Sequence, residues 1–227
     1  MSASGSMPPP RLVLDDSEWS HKAWMSRIDT ELFERVLLRK GQAAQGAFQV
    51  LEWGAGRSTL YFSRRLQELG LPYQWLSLDY DRGYVDREVA PQLVNRPEAR
   101  LIYADDAKLE AAGSVAHPLQ VVVFDRGRLQ PFLGGHAADR HANLHDYVTY
   151  PARLGGRYDL IFVDGRKRRR CLLEAARLLK TDGVALLHDA YRPHYQCAFE
   201  SFRSQRMLGE ILWVGSQADT TFVDLIT

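Results

Sequence analysis

The sequence predicts an α/β fold built on an open, mostly parallel β-sheet with helices on both faces. One observation is a strand that runs into a glycine turn and then into a helix, over residues 48–60. Another is that the apolar runs at residues 73–79 and 158–164 also close on an aspartate. In open α/β sheets the ligand crevice lies outside the carboxyl ends of the strands. The sequence therefore predicts a ligand site at that edge of the sheet.

Length and composition indicate a single domain with a substantial core. The chain has 227 residues, of which 45% are hydrophobic, and its 29 basic residues nearly balance 28 acidic ones. This balance argues against a broad surface for nucleic acid or membrane. The two cysteines lie in predicted helices and give no disulfide framework, and no apolar run approaches the roughly 18 residues that span a bilayer. We expect a cytoplasmic protein, and a homodimer stays among the open alternatives.

The N-terminal part predicts a tail followed by a helical cap. Residues 1–14, with three consecutive prolines, predict a disordered tail. Apolar residues at helical spacing over 17–39 predict an amphipathic helix or helix pair. It belongs to a predicted cap that spans 15–45 of the single 15–227 domain. Three residues at its start could belong to an acceptor pocket or to the core: Trp19, His21 and Trp24.

The remaining elements follow from apolar runs and their punctuation. Residues 108–157 are weakly periodic and rich in glycine and proline, and they predict an insertion that shapes an acceptor pocket, with a strand-like run at 119–124. Its candidate pocket residues are Asp146, Tyr147 and Tyr150, whereas His136, His141 and His145 are interpreted as solvated loop histidines. Further predicted helices are 58–69, 82–94, 166–180 and about 193–206. Further predicted strands are 100–107, which closes on acids, and 184–189, which follows a turn at 181–183, together with 210–214 and 220–226, which form a hairpin.

The glycine turn has the chemistry of a nucleotide site. Gly54 permits a tight turn, Gly56 lets the backbone approach a ligand, and the helix that begins near Arg57 offers unpaired N–H groups. A dinucleotide fingerprint requires glycine or alanine where Thr59 stands, so the turn is a poor match to a NAD site. We expect another adenosine-bearing cofactor.

With its acid before the turn, Leu51-Glu52-Trp53-Gly54-Ala55-Gly56 resembles the first motif of class I S-adenosylmethionine-dependent methyltransferases. The run Tyr-Asp-Leu-Ile-Phe-Val-Asp-Gly at 158–165 is similar to a later strand of the same family. The resemblance implies a Rossmann-like, mixed seven-stranded sheet with a C-terminal antiparallel hairpin. It also implies S-adenosylmethionine as the cofactor.

Cofactor contacts are predicted at four strand ends. Asp79 lies 23 residues after Gly56, near the interval at which a carboxylate binds the ribose hydroxyls in Rossmann-like folds, and Asp81 is the predicted cap of the next helix. The resemblance places an Asp-Ala pair beside the adenine, which Asp106 fits better than Asp105. The predicted cofactor-binding residues are Glu52, Gly54, Ala55, Gly56, Ser58, Thr59, Asp79, Tyr80, Asp105, Asp106, Ala107 and Asp164.

Catalytic residues are predicted after the later strands. Asp164, Lys167 and Asp189 fit the spacing of cation-dependent O-methyltransferases, although Ala190 stands where those enzymes carry an asparagine. The resemblance implies Mg²⁺ held by Asp164 and Asp189, and without the metal Asp164, Lys167 or His188 is the general base. The predicted catalytic residues are Asp164, Lys167, His188 and Asp189.

The basic run at 166–170 predicts either a solvated turn or contact with an anion. The runs Val-Asp-Gly-Arg at 163–166 and His-Asp-Ala-x-Arg-x-x-Tyr at 188–195 resemble, more loosely, a branch of class I methyltransferases that includes saccharide O-methyltransferases. We expect O-methylation of a small polar or anionic acceptor. Two alternatives stay open at this point: a NAD(P)-linked oxidoreductase, and a non-catalytic protein that binds RNA or another polyanion.

Overall fold

A computed structural model describes residues 22–104, 117–125 and 142–226 of the chain. Within these ranges the strands are β1 (Phe48–Trp53), β2 (Tyr73–Asp79), β3 (Ala99–Tyr103), β4 (Leu119–Val123), β5 (Tyr158–Val163), β6 (Leu179–Leu187), β7 (Ser204–Met207) and β8 (Trp213–Ser216). They form one sheet in the order β3-β4-β2-β1-β5-β6-β8-β7. Strands β1 to β6 pair in parallel, whereas β8 is antiparallel to β6 and β7.

The helices alternate with the parallel strands. They are α1 (Arg27–Ala43), α2 (Arg57–Glu68), α3 (Arg82–Tyr84), α4 (Ala90–Leu93), α5 (His145–Arg153), α6 (Arg168–Leu178) and α7 (Gln196–Phe199), with a π-helical turn (Val85–Val89) between α3 and α4 and 3₁₀ turns at Pro193–Tyr195 and Val223–Leu225. Ser26 caps α1, since its side chain accepts a hydrogen bond from the N–H of Asp29. Within the described residues, no helix is both long and apolar enough to cross a bilayer.

Two hydrophobic layers cover the sheet, one on each face. Phe33 of α1 and Phe62 of α2 stack on each other in one layer, with the π-helical turn beside them. Tyr147 of α5 and Leu172 of α6 belong to the other layer. The central strands are buried on both faces, as parallel strands between helices are. The mixed α/β fold with helices on both faces is therefore confirmed, with eight strands in the described sheet where seven were expected.

The C-terminal hairpin lies earlier in the chain than predicted. The sequence predicts a helix as far as residue 206, but Ser204–Met207 forms the edge strand β7, and only a short helix precedes it. An edge strand can be polar, because one of its sides faces solvent, and so its pattern is easily misread. The predicted strand 220–226 is absent, since Phe222 takes a left-handed backbone conformation and a 3₁₀ turn follows.

Two further segments contribute to the sheet and its core. The residues predicted as a turn, 181–183, belong to β6. Gly183 serves there as a close-approach residue, because a Cβ would lie 2.7 Å from the carbonyl oxygen of Tyr158. Within the predicted insertion, β4 lies between β3 and β2 in the sheet, and α5 packs against α6. These parts of the insertion therefore belong to the core of the fold.

Candidate active site

The glycine turn is held against the end of the neighbouring strand β5. Gly54 has φ of 109°, and a Cβ there would lie 2.5 Å from the backbone nitrogen of Gly165. The carbonyl of Trp53 accepts hydrogen bonds from the N–H groups of Asp164 (2.8 Å) and Gly165 (2.6 Å). Only glycine combines this backbone conformation with so close an approach. The first glycine of the motif therefore joins two strand ends.

The second glycine lies under a tyrosine. The N–H of Gly56 donates to Oγ1 of Thr59 (2.9 Å), just before α2 begins at Arg57. A Cβ on Gly56 would lie 2.9 Å from the hydroxyl of Tyr84. Burial raises the pKa of Tyr84 to about 12, so its hydroxyl keeps its proton at neutral pH. The turn and this hydroxyl together form one wall of the site.

Glu52 lies beneath the turn and has no exposed surface. Its carboxylate accepts hydrogen bonds from the hydroxyls of Ser58 (2.5 Å), Thr59 (2.6 Å) and Ser77 (2.9 Å) and from the indole of Trp75 (3.0 Å). All four donors are neutral, and burial raises the pKa of Glu52 to about 7. The prediction gave Glu52 and Thr59 direct cofactor contacts, but the structure places both under the turn. Glu52 instead fastens the first turn of α2 to β1 and β2.

Asp79, at the end of β2, presents one free carboxylate oxygen. Oδ1 accepts hydrogen bonds from the N–H groups of Tyr80 (2.7 Å) and Asp81 (2.8 Å). Oδ2 has no hydrogen-bond partner among the described residues. Burial raises the pKa of Asp79 to about 7. Asp81 caps the following helix through the N–H of Tyr84 (2.9 Å), as its position in the sequence predicts.

A cavity of about 340 Å³ lies between the turn and the ends of β2 and β5. Seven predicted cofactor-binding residues line it: Gly54, Ala55, Gly56, Ser58, Asp79, Tyr80 and Asp164. The other lining residues are Trp24, Arg57, Asp81, Tyr84, Gly165, Arg166 and Arg168. The predicted contacts Asp105, Asp106 and Ala107 fall outside the described residues, as do Trp19 and His21.

Asp164 faces two cationic groups. Its Oδ1 lies 3.0 Å from Nδ1 of His188 and 2.9 Å from Nη2 of Arg168. Burial opposes ionisation, but His188 and Arg168 outweigh it and hold the pKa of Asp164 below its usual value. Burial lowers the pKa of His188, yet the charge of Asp164 and the bond to it raise it on balance. Asp164 is therefore an ionised group at the cavity wall.

His188 turns its second nitrogen away from solvent. Nε2 is buried and has no hydrogen-bond partner among the described residues. His188 does not line the cavity, whereas Asp164 does. In this arrangement His188 contacts Asp164, which lines the cavity, and it does not reach the cavity itself. It is therefore not positioned to take a proton from an acceptor.

The two predicted metal ligands are already joined by an arginine. Arg168 binds Oδ1 of Asp164 through Nη2 (2.9 Å) and Oδ2 of Asp189 through Nη1 (3.1 Å). Arg192 also donates to Oδ2 of Asp189 (2.8 Å). No group of three or more histidine, cysteine or acidic side chains among the described residues could hold a metal ion. The residues therefore do not fit the predicted Mg²⁺ site, because a guanidinium lies between its two carboxylates.

The other predicted catalytic residue and the basic run have distinct places. Lys167 precedes α6 in a left-handed conformation with φ of 56°, and it is not among the residues that line the cavity. Arg166 lines the cavity and donates to the hydroxyl of Tyr80 (3.2 Å). Arg169 and Arg170 are exposed. The basic run thus divides between the cavity, an internal ion pair and solvent.

Sequence reasoning named Trp24 as a pocket candidate and Arg168 only as one member of the basic run, and it did not single out Arg57 or Tyr84. Trp24 is 57% exposed, and the Arg57 guanidinium lies 5.8 Å from the centre of its ring. The i,i+4 spacing of Asp164 and Arg168 at a helix start is the signal that could have found the ion pair. No comparable signal marks Tyr84, because its place over Gly56 depends on the π-helical turn.

Comparison with known proteins identifies the fold and the family. The model of a family described as "Methyltransferase domain" matches residues 51–190. A methyltransferase-like protein from Silicibacter pomeroyi DSS-3 is 20% identical, with 91% of this chain and 97% of that chain covered at a TM-score of 0.50. A TDP-rhamnose 3'-O-methyltransferase of calicheamicin biosynthesis is 13% identical, with 85% and 81% covered at a TM-score of 0.45. CmcI with magnesium and S-adenosylmethionine is 14% identical, with 92% and 82% covered at 0.46. No curated protein matches the chain.

Proposed function

Because the chain belongs to the methyltransferase domain family, and is thus an S-adenosylmethionine-dependent methyltransferase, we propose that it methylates an oxygen of a small anionic acceptor. Family membership also decides against the two alternatives, an oxidoreductase and a non-catalytic binding protein. The proposal concerns the class of acceptor and the role of each residue at the cavity.

The observation that carries the cofactor assignment is the free Oδ2 of Asp79 beside the glycine turn. A carboxylate oxygen without a partner can accept hydrogen bonds from a ribose diol, and Gly56 lines the same cavity. Ser58, Tyr80 and Asp164 line the same cavity. We assign these residues to the cofactor, with Glu52 holding Ser58 in place from below.

S-adenosylmethionine bound here would supply a methyl group on a positively charged sulfur for transfer to the acceptor oxygen, whose proton would pass to water. The protein must hold the acceptor oxygen near attack distance. Asp164 suits this orienting role, since it is ionised and can accept a hydrogen bond from a hydroxyl. Its low pKa makes it a weak base, so orientation is its main contribution.

Two features of the cavity rim favour an anionic acceptor. Arg57 is exposed, and it has no carboxylate partner among the described residues. Trp24 presents a largely exposed ring beside it. A guanidinium binds carboxylate or phosphate oxygens in a planar, bidentate manner. An acceptor that places its hydroxyl toward Asp164 and its negative charge toward Arg57 would use both groups.

The test is methyl transfer from isotope-labelled S-adenosylmethionine to matched hydroxyl acceptors, one with a carboxylate and one with its neutral amide. We expect label on oxygen and a preference for the charged acceptor, which Arg57→Ala removes and Arg57→Lys partly restores. If Arg57 binds the cofactor instead, Arg57→Ala lowers transfer to both acceptors equally. Label on nitrogen alone, or equal use of both acceptors by the native chain, would contradict the proposed acceptor class.

A further inference from the structure

The Arg168 guanidinium uses every N–H group that it has. Nε donates to the carbonyl of Gly165 (2.9 Å) and Nη1 to the carbonyl of His188 (2.5 Å), while Nη2 donates to the carbonyl of Asp164 (2.8 Å). The remaining two N–H groups face the carboxylates of Asp164 and Asp189. Guanidinium has five N–H donors, so all are accounted for. The side chain is only 11% exposed.

These five acceptors come from two chain segments that follow neighbouring parallel strands. Asp164 and Gly165 follow β5, whereas His188 and Asp189 follow β6. Asp189 has φ of 57°, a left-handed conformation that costs a non-glycine residue free energy. The arginine therefore ties two strand ends together at the cavity wall, in the manner of a multidentate cation.

A divalent cation at the same place would compete with this side chain. Each carboxylate is already paired with Arg168, and Asp189 is paired with Arg192 as well. A metal ion between the carboxylates would bring a second positive centre beside a largely buried guanidinium and take away the acceptors of the two N–H groups that face the carboxylates. Both changes are costly in a buried site.

We infer that Arg168 takes the place of a divalent cation between Asp164 and Asp189, so that the enzyme orients its acceptor without a metal. Arg168 is then a positioning residue, which fixes the carboxylate of Asp164 at the cavity. The inference deepens the proposed function and rests on it for the meaning of the site. The arrangement of the charges can be tested separately.

The test is Mn²⁺ binding, followed by electron paramagnetic resonance, on the native chain, Arg168→Ala and Arg169→Ala. Removal of the guanidinium leaves Asp164 and Asp189 side by side, and hard oxygen ligands of this kind bind such cations. We expect no stoichiometric Mn²⁺ on the native chain or on the exposed-residue control Arg169→Ala, and one bound ion on Arg168→Ala. A purely structural role for Arg168 would not create a metal site.

One bound Mn²⁺ on the native chain that Asp189→Asn removes would overturn the inference. So would a folded Arg168→Ala chain without Mn²⁺. If Arg168→Ala does not fold, the native chain and Asp189→Asn still decide the question. Methyl transfer is measured in parallel: EDTA should leave the rate unchanged, whereas Arg168→Ala should lower kcat/KM about 100-fold through misplacement of Asp164. Failure of the native chain to bind S-adenosylhomocysteine would instead contradict the cofactor assignment, whatever the Mn²⁺ result.

Discussion

Glu52 and Asp164 are carboxylates near the ends of adjacent strands, yet their surroundings differ in kind. Glu52 faces four neutral donors, and burial raises its pKa to about 7. Asp164 faces Arg168 and His188, which overcome burial and hold its pKa below the usual value. The same chemical group thus accepts hydrogen bonds from neutral donors at Glu52 and carries a negative charge, held by cationic neighbours, at Asp164. Burial alone does not determine the charge of an acid at this sheet edge.

The backbone contact between Gly54 and Gly165 joins these two regions. We expect a substitution there to lower the stability of the protein most. Gly54→Ala introduces a Cβ 2.5 Å from the backbone nitrogen of Gly165, at φ of 109°. We expect a loss of about 4 kcal/mol in the free energy of unfolding, from backbone strain plus overpacking. Chemical denaturation measures it.

Gly46→Ala is the matched control for this prediction. Gly46 has φ of 98°, but nothing lies within 4 Å of its Cβ position. It should lose only the strain of about 1 to 2 kcal/mol. Equal losses at both positions would mean that the two strand ends do not press on each other.

Glu52 should make stability depend on pH in the opposite sense from a salt-bridged acid. Folded Glu52 keeps its proton up to about pH 7, whereas the unfolded chain releases it near 4.5. The folded state therefore binds more protons between these values, and stability falls as pH rises, by about 3 kcal/mol in all.

Glu52→Gln keeps the shape of the side chain and removes this titration. Denaturation curves at pH 4.5 and pH 7 should show a smaller fall for the variant than for the native chain. An equal fall in the free energy of unfolding for both chains would show that Glu52 does not cause the pH dependence.

The charge of Asp164 should keep His188 protonated to a higher pH than a free histidine. Because the pKa of His188 is raised, the stability that its protonated form contributes is complete below its unfolded pKa of about 6.5 and is lost as pH rises through the folded pKa. Asp164→Asn removes the charge that raises it. Nuclear magnetic resonance should then show that His188 titrates at a lower pH than in the native chain. An unchanged titration would mean that the ion pair is not formed in solution.

The two regions also differ in how far sequence predicts them. The glycine turn, Ser58, Asp79 and the cap at Asp81 follow from local spacing, because each contact lies within one strand–turn–helix unit. Glu52 was found as a motif residue, but its enclosure depends on Trp75 and Ser77 from the next strand. Local pattern does not specify which donors meet across strands.

The charged region could be predicted only in part. Asp164, His188 and Asp189 were found at strand ends, and they do meet there. The guanidinium between the carboxylates was missed, since a run of five cations does not show which one turns inward. Arg168 is selected by the geometry of β5 and β6, whose ends supply carbonyls as well as carboxylates.

Calorimetric titration of S-adenosylhomocysteine tests the assignment of the cavity most directly, on the native chain, Asp79→Asn and the exposed-residue control Asp86→Asn. Loss of hydrogen bonds from a diol to a charged acceptor should raise the Kd of Asp79→Asn about 100-fold, with Asp86→Asn unchanged. Measured at pH 6 and pH 8, the native chain should bind more tightly at pH 8, because Asp79, with a pKa of about 7, is then ionised. Native affinity in Asp79→Asn, or binding of NAD in place of S-adenosylhomocysteine, would contradict the account.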